Sequence, residues 1–348
     1  MSGRIRRLNV SEGGSARAAA RQVQSDPAYY ERLARELVRA SRGRRSCAEL
    51  SRRAGYRSNM VQRWESGQSW PSASTFLRLH ARFHPRARKW IENFIHAAPA
   101  WLGDEDPTSP GAVAAFLRHV RGKTPILRLA ASAQRNRYSI SRWLSGAVEP
   151  SLPDFLCMVD ASTRRLLDLL AAIEDPERLP AARDAWQQLL RARQAAYDLP
   201  WSHAVLRALE LKECPRGLGA QQAFVARRLG ISRDQVGEAM RVLEGLGQVS
   251  KKRDRFVPCA QDVVDTGSDP ERAHALRVAW TSTALERLRA KRQGSFGWSL
   301  FAVSKEDLAR LNTLHLQYVR AMRDVIAHST ETECVGLYCA QLLDLGAE

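Results

Sequence analysis

A mainly α-helical chain of several modules is predicted: two similar helical bundles in tandem, three helices closed by a β-hairpin, and a small α+β module at the C-terminus. Three observations predict it. A nine-residue segment recurs 79 positions downstream, apolar residues fall mostly at helical spacing between glycine and proline stops, and positive charge is concentrated at the N-terminal end. At roughly 100 to 200 residues per domain, the 348 residues allow about two to four modules.

The recurring segment runs from Trp64 to Ser72 and again from Trp143 to Ser151. The match continues outward. Arg63 meets Arg142, Val61 meets Ile140, Ala54 meets Ala133 and Leu50 meets Leu129; downstream, Phe76 and Leu77 meet Phe155 and Leu156. Each copy predicts a short helix (Cys47 to Arg53; Ile126 to Ala133), a tight break and a second helix (Ser58 to Ser66; Arg137 to Ser145). Gly67 and Gly146 end that helix, Pro71 and Pro150 forbid its continuation, and Ser72 or Ser151 caps the next one. A further helix is expected at Pro110 to Arg121. The first bundle spans 29–98 and the second 110–173, after a basic, flexible arm at 1–28.

The stretch Ser46 to Phe83, with its Arg-aromatic-Glu-Ser-Gly sequence followed by proline, resembles the lambda-repressor or Cro type of helix-turn-helix. That resemblance implies a compact bundle of about five helices whose third helix enters the major groove of DNA. Carried onto this chain, Ser58, Asn59, Gln62 and Arg63 face the base edges, with Asn59 and Arg63 the leading readers of adenine and guanine. Arg52, Arg53 and Arg57 hold phosphates, and Val61 and Trp64 face the core. Where the family often carries glutamine, early in the second helix, this chain has Cys47, which leaves that one contact without a reader. In the second copy Gln134 replaces the turn glycine and Leu144 the glutamate, and the corresponding outward set is Arg137, Tyr138, Ser141 and Arg142.

An Ala- and Arg-rich linker helix is expected at 180–197. A third pattern occupies 200–259: helices at Trp201 to Leu211, Gln221 to Leu229 and Arg233 to Leu246, then two short strands within Gln248 to Val257. This order resembles a winged helix-turn-helix, which implies Arg233, Gln235, Arg241, Lys251, Lys252 and Arg253 as its DNA-facing set.

Residues 268–348 are expected to form an α+β module for dimerisation or sensing: a helix from Asp269 to Arg292, a strand through Phe296, Trp298 and Leu300, a long helix begun by Ser304, and a closing strand from Cys334 to Leu345. Residues 200–345 are similar in order to a group of uncharacterised bacterial regulators, notably from myxobacteria, that join a helix-turn-helix to a domain of unknown function.

Charge narrows the partner class. Of the net +17, residues 1–150 carry 27 Arg and Lys against 11 Asp and Glu, whereas 151–348 carry 27 against 26. A block so one-sided suits counterion release from a polyanion, and double-stranded DNA is the expected partner. The six cysteines are widely scattered without CxxC spacing, so no metal site is expected. With no HExxH, GxSxG, P-loop or dinucleotide fingerprint, no catalytic residue and no cofactor is expected either. The absence of a long apolar run excludes a spanning helix, giving a cytoplasmic, nucleoid-associated protein that does not engage membrane.

The function expected is that of a sequence-specific transcriptional regulator, a homodimer on a palindromic operator, with a protein or small-molecule effector at the C-terminal module. The alternative is a protein-interaction regulator, an antirepressor or scaffold that keeps helix-turn-helix shapes without reading DNA.

Overall fold

The computed structural model describes residues 26–96, 98–99, 101–259, 264–329 and 331–346. The chain is mainly helical with one two-stranded antiparallel sheet among the described residues. The described residues fall into two compact units, one within 26–121, 125–189 and 259, the other within 122–124, 190–258 and 264–346.

In the first unit, α1 (Pro27–Arg42) begins where Asp26 accepts the Ala28 N–H at 3.0 Å and buries Leu33, Leu37 and Val38 along one face. The arm expected over 1–28 therefore stops short of Pro27, and its residues 1–25 lie outside the described residues. Next come α2 (Cys47–Arg53), α3 (Met60–Ser66), α4 (Ala73–Ala81) and, after a 3-10 turn at Pro85–Lys89, α5 (Trp90–Ile95). The second copy supplies α6 (Pro110–Arg121), α7 (Ile126–Ala133), α8 (Arg137–Ser145), α9 (Leu152–Thr163) and α10 (Leu166–Ile173). Gly67 and Gly146 are both left-handed, at φ 80° and 79°, as a glycine stop after α3 and α8 requires.

The two copies share one core. Trp90 is fully buried with its ring edge on Phe116 at 4.5 Å and Phe155 at 5.8 Å, so an aromatic of the first copy sits among those of the second. The exchange is reciprocal: α1 packs on α9 while α4 packs on α6, and α5 packs on its own counterpart α10. At the centre, Ser72 and Ser151 form an antiparallel bridge, with Ala73 N–H donating to the Pro150 carbonyl (3.1 Å) and Leu152 N–H to the Pro71 carbonyl (2.9 Å). Tyr30 adds a buried bond from its hydroxyl to Asp160 at 2.8 Å, and burial followed by that carboxylate pushes the phenol pKa far up.

Gly55 and Gln134 occupy the same repeat position, and both are left-handed, at φ 89° and 49°. Glycine pays nothing for that conformation, whereas an L side chain pays about 1 kcal/mol or more. Gln134→Gly is therefore expected to raise the stability of this unit by about 0.5 to 1 kcal/mol in chemical denaturation; a lower midpoint would count against the strain.

The second unit holds the later part of α11 (Pro180–Asp198), followed by α12 (Trp201–Leu209), α13 (Leu218–Leu229) and α14 (Arg233–Gly245). Strands β1 (Val249–Lys252) and β2 (Arg255–Pro258) pair in register Val249 with Pro258. Val205, Val225, Val236, Met240 and Val249 form the core. The buried Gln221 side chain acts as a third rung on β2, donating to the Phe256 carbonyl (3.1 Å) and accepting its N–H (2.7 Å).

Beyond the hairpin stand α15 (Pro270–Arg289) and α16 (Lys305–His328), the latter capped by Ser304 on Asp307 N–H. The strands expected at 296–300 and 334–345 are not formed; both stretches run without ladder partners. A strand needs a neighbouring backbone, and alternation in the local sequence cannot supply one. No described residue from 264 onward is buried, and Trp298, Leu300, Val325 and Leu345 are 88%, 75%, 72% and 80% exposed.

Candidate nucleic-acid interface

The first candidate face is built on α2 and α3. Val61 and Trp64 are buried, at 0% and 2% exposure, which anchors α3 and leaves Ser58, Asn59, Gln62 and Arg63 exposed. The helix starts at Met60 and not at Ser58. Its first turn is capped from outside, because the buried Ser51 hydroxyl accepts the Val61 N–H at 3.0 Å while donating to the Cys47 carbonyl at 2.7 Å. Asn59, in the N-cap position, makes no capping bond; its amide donates to Gln62 Oε1 at 2.8 Å, and both side chains stay at the surface. A serine on the inward side of α2 is the one sequence signal for this cap, and sequence reasoning missed it.

Glu65, the acidic residue of the motif, is held in ion pairs. Arg42 binds it at 2.5 Å, an interaction that raises the Arg42 pKa, and Arg39 lies 3.8 Å away. Of the arginines assigned to phosphate, Arg52 and Arg57 are exposed with no side-chain partner among the described residues, while Arg53 pairs with Glu49 at 2.8 Å. Arg45 lies over the Phe83 ring at 3.8 Å, adding a cation beside Arg53 that the sequence did not single out.

The second candidate face differs in detail. Its counterpart of Ser51 is Ala130, which has no hydroxyl, so α8 is capped locally by Asn136 accepting the Ser139 N–H at 2.8 Å. The helix consequently begins earlier in the repeat, and Arg137, Tyr138, Ser141 and Arg142 all lie on it exposed. Arg137 stacks on the Tyr138 ring at 5.0 Å.

In the second unit Arg233, Arg241, Lys251, Lys252 and Arg253 are exposed, the last at the hairpin tip with φ 54°. Gln235 is committed elsewhere: its side chain accepts the Ser232 N–H at 2.9 Å in a capping box that starts α14.

One buried polar cluster lies apart from these faces. His80 Nε2 donates to the Ile173 carbonyl at 3.1 Å and its Nδ1 meets the Ser41 hydroxyl at 2.6 Å; His84 stacks on the same ring at 4.2 Å, and Glu174 lies 3.7 Å away. The three side chains bring ligand atoms within 4.8 Å of one another, but the imidazole planes are 8° from parallel, so no ion can lie in both planes at once.

Burial first, then His84 and Arg178, bring the His80 pKa down to about 4 against the opposing pull of Glu174 and the Ile173 carbonyl. An unfolded imidazole titrates near 6.5, so between there and 4 the unfolded chain holds a proton that the folded chain lacks. Stability from this group is complete above 6.5 and is lost as the pH falls through that window, by about 3 kcal/mol in total. Unfolding midpoints measured from pH 7 to 4 should show a steeper decline in the wild type than in His80→Gln; equal slopes would remove His80 as the cause.

Residues 181–342 match the model of a domain of unknown function, DUF4423. The match covers the second unit's helices and hairpin together with α15 and α16, so the C-terminal half is similar to an uncharacterised domain, as its element order implied. No curated protein matches the chain, and no solved structure does. Among the described residues no helix is long and apolar enough to cross a membrane.

Proposed function

We propose that the protein is a sequence-specific, DNA-binding transcriptional regulator whose base readout comes from α3, seated in the major groove as the third helix of a lambda-repressor-like bundle. The observation that carries this reading is the division of α3 into two faces. Val61 and Trp64 hold it to the bundle, while Gln62 and Arg63, with Asn59 just before, present amide and guanidinium groups to solvent beside the exposed Arg52 and Arg57. Amide and guanidinium forks are what base edges require, and the flanking arginines suit phosphates.

On this reading α12 to α14 with the hairpin act as a winged helix-turn-helix, Arg233, Arg241, Lys251, Lys252 and Arg253 forming its basic edge. The α15–α16 region, with large apolar side chains uncovered, serves assembly into a homodimer or reception of an effector.

Selection of bound fragments from a genomic library, followed by titration across salt, tests the reading. A reader enriches one sequence and loses affinity about 10³-fold or more between 50 and 200 mM salt if it neutralises six or more phosphates. An antirepressor or scaffold would enrich nothing and show a flat salt response.

A further inference from the structure

We propose that a single chain reads a bipartite DNA site of two unlike, inverted half-sites, one under α3 and the other under α8; this deepens the DNA-reading proposal above and rests on it. The argument begins at the bridge between Ser72 and Ser151. These residues are 79 apart, the spacing of the repeat, and the flanking bonds are reciprocal: Ala73 donates to Pro150, and Leu152, its repeat equivalent, donates to Pro71. An antiparallel bridge between equivalent residues carries a local two-fold axis. The helix contacts obey the same axis, since α1 on α9 and α6 on α4 are the two halves of one exchange and α5 meets its own equivalent in α10.

The first unit is thus arranged like a symmetric dimer written into one chain, with the isologous contact such a dimer needs. An axis that exchanges the copies exchanges α3 with α8. Duplex DNA has local two-fold axes of its own, and proteins with two recognition helices so related bind half-sites in inverted orientation, about one helical turn or 34 Å apart. The spacing is attainable: six residues of chain separate Ser66, at the end of α3, from Ser72 on the axis, a reach of at most about 20 Å. By symmetry the helix ends stand no more than about 40 Å apart.

The half-sites must differ because the faces differ. Ser58, Asn59 and Gln62 in one copy are replaced by Arg137, Tyr138 and Ser141 in the other, and the different caps start the two helices at different points of the repeat. Among these four reading positions only Arg63 and Arg142 are the same residue, and arginine most often reads guanine through two hydrogen bonds. The site therefore carries a G·C pair at mirrored positions within otherwise unlike halves.

Selection from a random duplex library with the full chain tests this directly. The expected product is one motif with two inverted, dissimilar halves. Arg63→Ala should lower discrimination at the mirrored guanine of one half about ten- to a hundredfold, and Arg142→Ala should do the same in the other half only. A motif of two identical halves, both altered by Arg63→Ala and untouched by Arg142→Ala, would overturn the proposal, as would a single half-site or a direct repeat. No enrichment at all would instead remove the DNA-reading proposal beneath it.

Discussion

Replacing Trp90 with alanine is expected to destabilise the N-terminal unit by about 3 to 5 kcal/mol, the range for deleting a fully buried large aromatic. Its indole contacts Phe116 and Phe155 of the second copy, and its Nε1–H donates to the Pro107 carbonyl at 3.0 Å, so the change opens a cavity and also orphans an acceptor. The informative outcome is where the loss is felt. Because the core belongs to both copies, hydrogen-exchange protection in α3 and in α8 should fall together, although Trp90 precedes the second copy in sequence. Protection lost in α3 alone would mean that the bundles are stabilised separately. Trp298→Ala is the control: at 88% exposure its removal should shift stability by no more than about 0.5 kcal/mol.

Most helices of the fold are legible in the sequence because their ends are local events. Gly67, Gly146, Pro71, Pro150, Ser72 and Ser151 fix stops and starts through chemistry that acts within four residues, and α2, α7 and α8 appear at the expected boundaries. The inward placement of Val61 and Trp64 follows from helical spacing in the same way. The start of α3 was not legible, because the group that sets it, the Ser51 hydroxyl, belongs to another helix. The shared core was not legible either: Tyr30 with Asp160, and His80 with Ile173, join residues 130 and 93 positions apart, and no periodicity encodes such a partner. The C-terminal segments show the converse. Phe296, Trp298 and Leu300 alternate as a strand should, yet alternation states which face is apolar and not which backbone will complete the ladder.

The second large effect is on DNA. Combined replacement of Asn59 and Arg63 by alanine is expected to cost about 2 to 6 kcal/mol at a cognate site, from about 1 to 3 kcal/mol for each lost bidentate contact. The fold should survive, since neither side chain is buried and the first turn of α3 is held by the Ser51 hydroxyl on the Val61 N–H at 3.0 Å, against which the Ser51 contact with Asn59 Oδ1 is long, at 3.4 Å. Arg52→Ala and Arg57→Ala should behave differently, weakening every sequence alike and flattening the salt dependence by about one charge each, because a phosphate contact carries no base information. Arg53 should contribute less than either, since it must first give up Glu49. The assignment therefore depends on a contrast that binding isotherms on cognate and random duplex can read: loss confined to the cognate duplex for Asn59 and Arg63, loss on both for Arg52 and Arg57. If the double variant kept the whole of the wild-type preference for the cognate duplex, including the half-site assigned to α3, α3 would not be a reading helix, whatever the arginines around it do.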